Sequence, residues 1–455
     1  KYFYKYYRQD AKAPAGFYQS TKIGVIKSVL LLGFISFGGP AGQIAIMHEF
    51  LVDKKKWISD KKFLHALNYC MLLPGPEAQQ LCVYTGWLLH GTIGGVAAGL
   101  LFILPSLIIL AGLSLIYVLS GNNPWVMALF DGLKPAVIAI VLLALIKIGK
   151  KALTNYFHYA LAASAFICIF FFNVPFPIII IVAILLAFVL QQVYPAVLQT
   201  KKTTKQNDTI DESNYYINSN TISERSGYNP KRFWMLLSVV VVLWALPLIL
   251  LYFFSNDFSF WSQLSFFFTK AAFVTFGGAY AVLPYVAQVS VQQFAWLSKL
   301  QMIDGLALGE TTPGPLIMIL AFVGFMAGYN HFDLSIGAAI IGLVLTTFYT
   351  FLPSFLFILA GAPVIERTQD NPKIKQILSL VSAAVVGVVL NLTIYLAVSV
   401  IFKEGNFDVS QIHYGWLVWI IISLIALYRF KINMIAWIGV SAVFGLAWYY
   451  FTAAV

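Results

Sequence analysis

Ser36-Phe37-Gly38-Gly39-Pro40, Trp57-Ile58-Ser59 and Pro74-Gly75-Pro76 form a series that this chain writes a second time, as Thr275-Phe276-Gly277-Gly278, Trp296-Leu297-Ser298 and Pro313-Gly314-Pro315. Each landmark stands 239 positions from its counterpart: 37 to 276, 57 to 296 and 74 to 313. Gly and Pro interrupt helices. Interruptions placed alike in two apolar halves point to a membrane carrier fold with its binding site where the halves meet.

The remaining composition agrees. Of 455 residues 60% are hydrophobic, 16% aromatic and only 10% charged, too few polar side chains to cover a water-soluble globule of this size. The solvent of most of the surface is therefore lipid, and the bilayer is the first partner. The net charge of +11 does not indicate nucleic acid, because Lys and Arg fall in short clusters between long apolar runs, the distribution that sets membrane orientation. Cys70, Cys82 and Cys168 have neither CxxC spacing nor an even count, so neither a disulfide framework nor a zinc site is expected, and no cofactor or metal is assigned. Lys1 to Lys27 mix charges and aromatics without the apolar core of a cleavable signal, and read as an interfacial strap.

Apolar stretches near 92–119, 125–147, 152–172 and 176–193, and then near 233–254, 333–360, 377–402, 414–428 and 432–451, have about the ~17 to 25 residues a helix needs to cross a bilayer, the stretch at 414–428 being short. Lys147, Lys150, Lys151, the polar stretch 195–232, Arg367, Lys373, Lys375, Arg429 and Lys431 mark loops of one face, which the positive-inside rule makes cytoplasmic. The Lys-rich N-terminus and the loop Asp53-Lys54-Lys55-Lys56 belong to that face as well. The segment 28–50 between them is therefore expected to enter and return as a re-entrant hairpin broken at Phe37-Gly38-Gly39-Pro40, with Pro74-Gly75-Pro76 at the tip of a second hairpin. The equivalent loop Gln292 to Lys299 has one Lys, as expected if the second copy faces the other way.

The expected fold is an all-α integral membrane protein, an inverted repeat in which each half has two broken-helix hairpins and about four transmembrane helices. The divisions are 1–22 (cytoplasmic or interfacial), 23–194 (first repeat), 195–232 (polar cytoplasmic linker, expected to be mobile), 233–254 (the helix that inverts the repeat) and 255–455 (second repeat). Two tandem parallel halves with ordinary spans are the competing reading.

Interrupted backbone at membrane depth is tolerated where it lines a cavity. Free N–H groups at Gly38, Gly39, Gly277 and Gly278, with half-helix N-termini after Pro40, Pro76 and Pro315, concentrate partial positive charge that suits an anion. The glycines alternatively serve only close packing, as Gly91, Gly95 and Gly99 or Gly324 and Gly328 do. Phe37, Phe276, Pro74, Gly75, Pro313 and Gly314 complete the two tips. Lys134 and Lys270 are intramembrane cations able to face the substrate, although Asp131 offers Lys134 an internal salt bridge. Glu77 and Glu310 either carry a proton, since burial disfavours their charge, or cap orphan amides. Gln43, Gln79, Gln80, Tyr84, Tyr280, Thr311 and Thr312 are polar partners for oxygens or for buried backbone.

Enzyme signatures are sparse. His48 and Asp53 have an acyltransferase-like spacing, with His as base and Asp orienting it. No Walker A loop, HExxH or GxSxG occurs.

Phe37-Gly38-Gly39-Pro40, Pro74 to Gln80, Gly86-Trp87-Leu88-Leu89-His90-Gly91, Phe276-Gly277-Gly278 through Pro284, and Gly309 to Pro315 resemble the chromate ion transporter (CHR) family over roughly residues 24–400. The resemblance implies its long, two-domain form, which exports chromate from bacterial cells across the inner membrane and confers chromate resistance. Ala279 stands where a third Gly is expected in many relatives. Chromate and sulfate are similar tetrahedral dianions, so either is an expected substrate. An oxyanion channel and a membrane-embedded acyl or phosphoryl transferase using His48 and Asp53 are the alternatives, and a homodimer is left open.

Overall fold

The computed structural model describes residues 22–37, 39–71, 73–121, 123–193, 212, 214–218, 229–276, 278–365, 372–402 and 411–453. The strap at 1–21, the tip glycines Gly38 and Gly277, and most of the linker lie outside these residues.

Among the described residues the chain is all helix, with two isolated bridges and no strand. In order the helices are α1 (Lys22–Ile35), α2 (Gly39–His48), α3 (Asp60–Cys70), α4 (Glu77–Leu119), α5 (Pro124–Ala152), α6 (Tyr156–Phe172), α7 (Phe176–Val193), α8 (Pro230–Phe254), α9 (Phe258–Phe273), α10 (Ala279–Gln288), α11 (Lys299–Thr311), α12 (Ile319–His331), α13 (Ile336–Ile365), α14 (Pro372–Ile401), α15 (Tyr414–Tyr428) and α16 (Met434–Ala453). Seven described helices are long and apolar enough to cross a membrane, and the protein is a multi-pass membrane protein. The stretches expected at 176–193 and 414–428 coincide with α7 and α15.

Equivalent helices follow one another in the same order on either side of α8. α1 to α3 match α9 to α11, down to a π-helical turn after α2 (Glu49–Lys54) and after α10 (Val289–Gln293). Two residues after each π turn, and directly before the Trp, stands a left-handed residue, Lys56 (φ 51°) and Ala295 (φ 49°). α4 is two helices joined at Gly91, whose φ of 71° and ψ of −157° fold the chain back, so that Gly86 meets Gly94 and Ala98. α12 and α13 repeat that antiparallel pair, with Gly324 against Gly342 and Thr346, and Gly328 against Ala338. These glycines serve packing: a methyl at Gly86 would lie 2.5 Å from the Gly94 carbonyl.

The ends of α8 fix which loops share a face. At its start, Arg232 donates to Thr92 Oγ1 (3.2 Å) and its guanidinium lies 6.0 Å from the Trp87 ring. The same half presents Lys56 to Ser59, where linker residues 216 and 217 pair with the backbone of Lys56 and Trp57 at 3.0 Å each. A linker expected to be mobile is thus pinned at this point, with Ile217 buried against Trp57 and Phe63. Beyond the other end, Asp257 accepts from His331 Nε2 (2.8 Å), and Asn330 donates to the Trp296 carbonyl (2.8 Å). Trp57 and Trp296, equivalent by sequence, therefore lie with opposite ends of a 25-residue helix about 37 Å long. The side chains of α8 are mostly exposed, its one buried residue being Leu248, as expected of a helix facing lipid.

Each half lends a long arm to the other's core. Ile103 and Leu110 of α4 pack in the core built around α9 to α13, and Ile358, Leu359 and Ala362 of α13 pack in the core around Trp57, Phe63 and Trp87.

Candidate functional site

The four helix breaks converge. Gly75, held at φ 129°, donates its N–H to the Thr275 carbonyl (2.8 Å), and Gly314, at φ 92°, donates to the Ser36 carbonyl (2.8 Å). Because 75 and 314, like 36 and 275, are equivalent positions, these bonds are one contact made twice. Each Pro-Gly-Pro tip is fastened to the residue before the Phe-Gly-Gly of the opposite half, the self-complementary pattern of a two-fold interface. Glycine is required for φ and for space: a methyl on Gly75 would lie 2.6 Å from Gln80 Nε2 and 3.1 Å from Ser354 Oγ, and one on Gly314 would lie 2.8 Å from Ser106 Cβ.

The depth follows from α4. Ser106, against Gly314, stands midway along the Thr92–Leu119 arm, about 20 Å from either end. The junction is therefore near the middle of a helix long enough to span a membrane, and its broken backbone is enclosed by protein.

Side chains at the junction differ between the halves. From the second half, Tyr280 donates to Glu310 Oε1 (2.7 Å), while Glu310 Oε2 is buried without a hydrogen-bond partner. The Tyr280 hydroxyl lies 3.8 Å from the Cβ position of Gly39, and Glu77 Oε1 lies 3.8 Å from that of Gly278, so each α2 or α10 N-terminus faces an oxygen. From the first half, Gln43 Nε2 donates to the Gly314 carbonyl (2.5 Å), Gln80 Nε2 to the Pro74 carbonyl (2.8 Å), and Gln79 Oε1 accepts from Ser354 (2.8 Å). Pro40, Pro76, Phe37 and Phe276 border the same breaks.

Not every candidate belongs to this cluster. Thr311 and Thr312 spend their hydroxyls on the carbonyls of Leu308 (2.7 Å) and Gly309 (3.0 Å) at the end of α11. Tyr84 is buried between Tyr69 and Trp87. Lys134 is paired with Asp131 (2.7 Å) and with Asp304 of α11 (3.7 Å), whose other oxygen accepts from Tyr117 (2.9 Å). Lys270 is exposed rather than turned into the junction. His48 lies between Asp60 at the start of α3 (2.7 Å) and Asp53 of the π turn (3.5 Å), two exposed carboxylates.

A third repeated element was not read from the sequence. Leu104-Pro105-Ser106 and Leu352-Pro353-Ser354 lie 248 positions apart rather than 239, so a fixed-offset comparison passes over them. Both serines are buried against the Pro-Gly-Pro glycine of the other half, Ser354 at Gly75 and Ser106 at Gly314.

The chain matches a family model described as chromate transporter over residues 23–190 and 262–446, one block for each half. It is 32% identical over 385 residues to the chromate transport protein of Pseudomonas aeruginosa, covering 81% of this chain and 79% of that protein. It is 27% identical over 372 residues to the chromate transport protein of Cupriavidus metallidurans (81% and 80% covered), and 27% identical over 424 residues to an uncharacterized transporter of Methanocaldococcus jannaschii (93% and 93%). No solved structure matches the chain significantly.

Proposed function

We propose, because this chain belongs to the chromate transporter family, that it is a secondary carrier exporting chromate, and by the same site sulfate or a related tetrahedral oxyanion, across a bacterial inner membrane by alternating access. The observation that carries this reading is the reciprocal fastening of the tips, Gly75 to Thr275 and Gly314 to Ser36. It gathers the N-termini of α2, α4 and α10 at mid-depth, where N–H groups attract an anion without a buried formal charge. Neither Lys134 nor Lys270 is needed there.

In this reading the halves, 23–194 and 255–455, are related by an axis in the membrane plane, and the linker 195–232 and helix 233–254 join them. The placement of equivalent Trp loops at opposite ends of α8 supports the inversion, and the basic loops on the linker side support a cytoplasmic linker and N-terminus. One half then rocks against the other about the crossed tips, opening the junction to each side in turn. One chain supplies both tip pairs, so a homodimer is not required to build the site. Transport is the activity of the family, and His48 with Asp53 belongs to the charged surface where α2 runs into its π turn, not to an acyl-transfer site.

Export is favoured by voltage. With the interior negative, each charge leaving gains ~2.3 kcal/mol per 100 mV, so a dianion gains roughly twice that. Glu310, and less directly Glu77, are the groups through which a proton would couple. The test is chromate efflux from proteoliposomes holding the purified chain at fixed voltage and pH, with sulfate and molybdate competing. A saturable flux that sulfate inhibits is expected. Flux that rises linearly with chromate would make the protein a channel, and absence of flux would remove the proposal.

A further inference from the structure

The two tip glycines make matching backbone bonds, yet the hydroxyls beside them are not matched. At Gly75 both are satisfied within the protein: Thr275 Oγ1 donates to the Ala271 carbonyl (2.6 Å) and Ser354 Oγ to Gln79 Oε1 (2.8 Å). At Gly314 the equivalents are Ser36 and Ser106, both with no exposed surface, and neither Oγ has a hydrogen-bond partner. Ser36 is fixed there by the bond from Gly314 N to its carbonyl, and Ser106 Oγ lies 3.3 Å from the Gly314 Cβ position.

The pair stands out by its place, both hydroxyls lying beside one tip glycine. A buried hydroxyl without a partner costs about 1–3 kcal/mol, and alanine would fill nearly the same space without that cost. The serine at 36 had a satisfied alternative available, since Thr275 bonds back to its own helix at the equivalent position. The Gly75 side is not free of open polar atoms, because Gln79 Nε2 and Gln80 Oε1 lack partners, but both side chains are anchored there through their other atom. Ser36 and Ser106 have no such anchor.

We infer that Ser36 and Ser106 are oxyanion ligands, and that the tetrahedral dianion sits on the Gly314 side of the junction while the Gly75 side is its structural counterpart. This assignment rests on the carrier reading above and refines where in the junction the anion binds. Each hydroxyl donates its proton to one oxygen of the anion. Neutral donors match an acceptor-only dianion, and Glu310, whose Oε2 has no partner four residues before Gly314, can add a donor to such an anion only in its protonated form.

The test uses the purified full chain with chromate alone and, separately, sulfate alone, reading the melting temperature with and without anion and the Kd by titration. Ser36→Ala and Ser106→Ala are each expected to leave the anion-free melting temperature unchanged or higher, and to weaken chromate binding by about 10- to 100-fold, the effect of losing a hydrogen bond to a charged group. Ser354→Ala, which opens the Gln79 bond, is expected to lower the anion-free melting temperature and to change Kd by less than about threefold. Wild-type affinity in both Ser36→Ala and Ser106→Ala overturns the assignment while leaving the carrier reading intact. Wild-type protein that binds neither anion overturns both.

Discussion

The loops that carry Trp57 and Trp296 have a π turn, a left-handed residue and a Trp in the same order, and yet they are held by different partners. The Trp296 carbonyl is satisfied from within its own half, by Asn330. The Trp57 carbonyl is satisfied by the backbone N–H of Ile217, from the linker. The tips show the same pattern, with a shared backbone exchange and unshared side chains: Tyr280, Glu310 and two orphan hydroxyls on one side, Gln79, Gln80 and satisfied hydroxyls on the other. Both copies keep the breaks that shape the junction, and they differ in the side chains beside them.

The largest effect should come from the shared part. Ala at Gly75 or Gly314 forces a left-handed backbone, about 1–3 kcal/mol each, and pushes a methyl into Gln80 and Ser354 or into Ser106. Both substitutions are expected to abolish chromate efflux in proteoliposomes. Loss in only one of them would break the equivalence of the tips. Next comes the unshared carboxylate. Glu310→Gln is expected to cut efflux by about tenfold or more, on the scale of general acid–base groups, and to flatten its dependence on pH, whereas Glu77→Gln should retain that dependence. Identical profiles in the two variants would take the proton out of the second half.

Smaller effects should separate the Trp loops. Asn330→Ala leaves the Trp296 carbonyl without its partner, for a loss of about 1 kcal/mol and a fall of about 2 °C in melting temperature. Ile217→Pro removes the N–H that serves Trp57 and should cost a similar amount, while also releasing the linker to protease. A linker as resistant as wild type would mean that the Ile217 contact does not hold it. The smallest effect is expected at His48→Ala, where surface ion pairs with Asp53 and Asp60 contribute about 0–1 kcal/mol, and efflux should stay within about twofold of wild type.

Much of the fold was legible because lipid leaves a plain record. Apolar length gave α7 and α15 their bounds, and Gly and Pro marked the breaks after Ile35 and Met71 and their equivalents. The Leu-Pro-Ser pair stayed hidden because the first half turns back on Gly91 alone while the second spends Phe332 to Ser335 on the same turn and begins α13 with additional residues, which moves the offset from 239 to 248. Formal charge does not locate the junction of the breaks. Lys134 stands out in an apolar helix, but the carboxylate of Asp304 that meets it is 170 positions away, and no spacing rule brings the two together. The Tyr280–Glu310 bond is of the same kind, two candidates whose pairing only the folded chain reveals.

Opposite orientation of the two halves is the claim on which the crossed tips, the mid-depth site and alternating access all depend. The direct measurement is labelling by a membrane-impermeant thiol reagent of Lys56→Cys and Ala295→Cys, equivalent exposed positions, in intact cells and in inverted vesicles, with Cys168 replaced by Ala and the buried Cys70 and Cys82 left in place. Reaction of position 295 only in intact cells and of position 56 only in inverted vesicles is the predicted result. Reaction of both from one side would mean that the repeats run parallel, and would contradict the account.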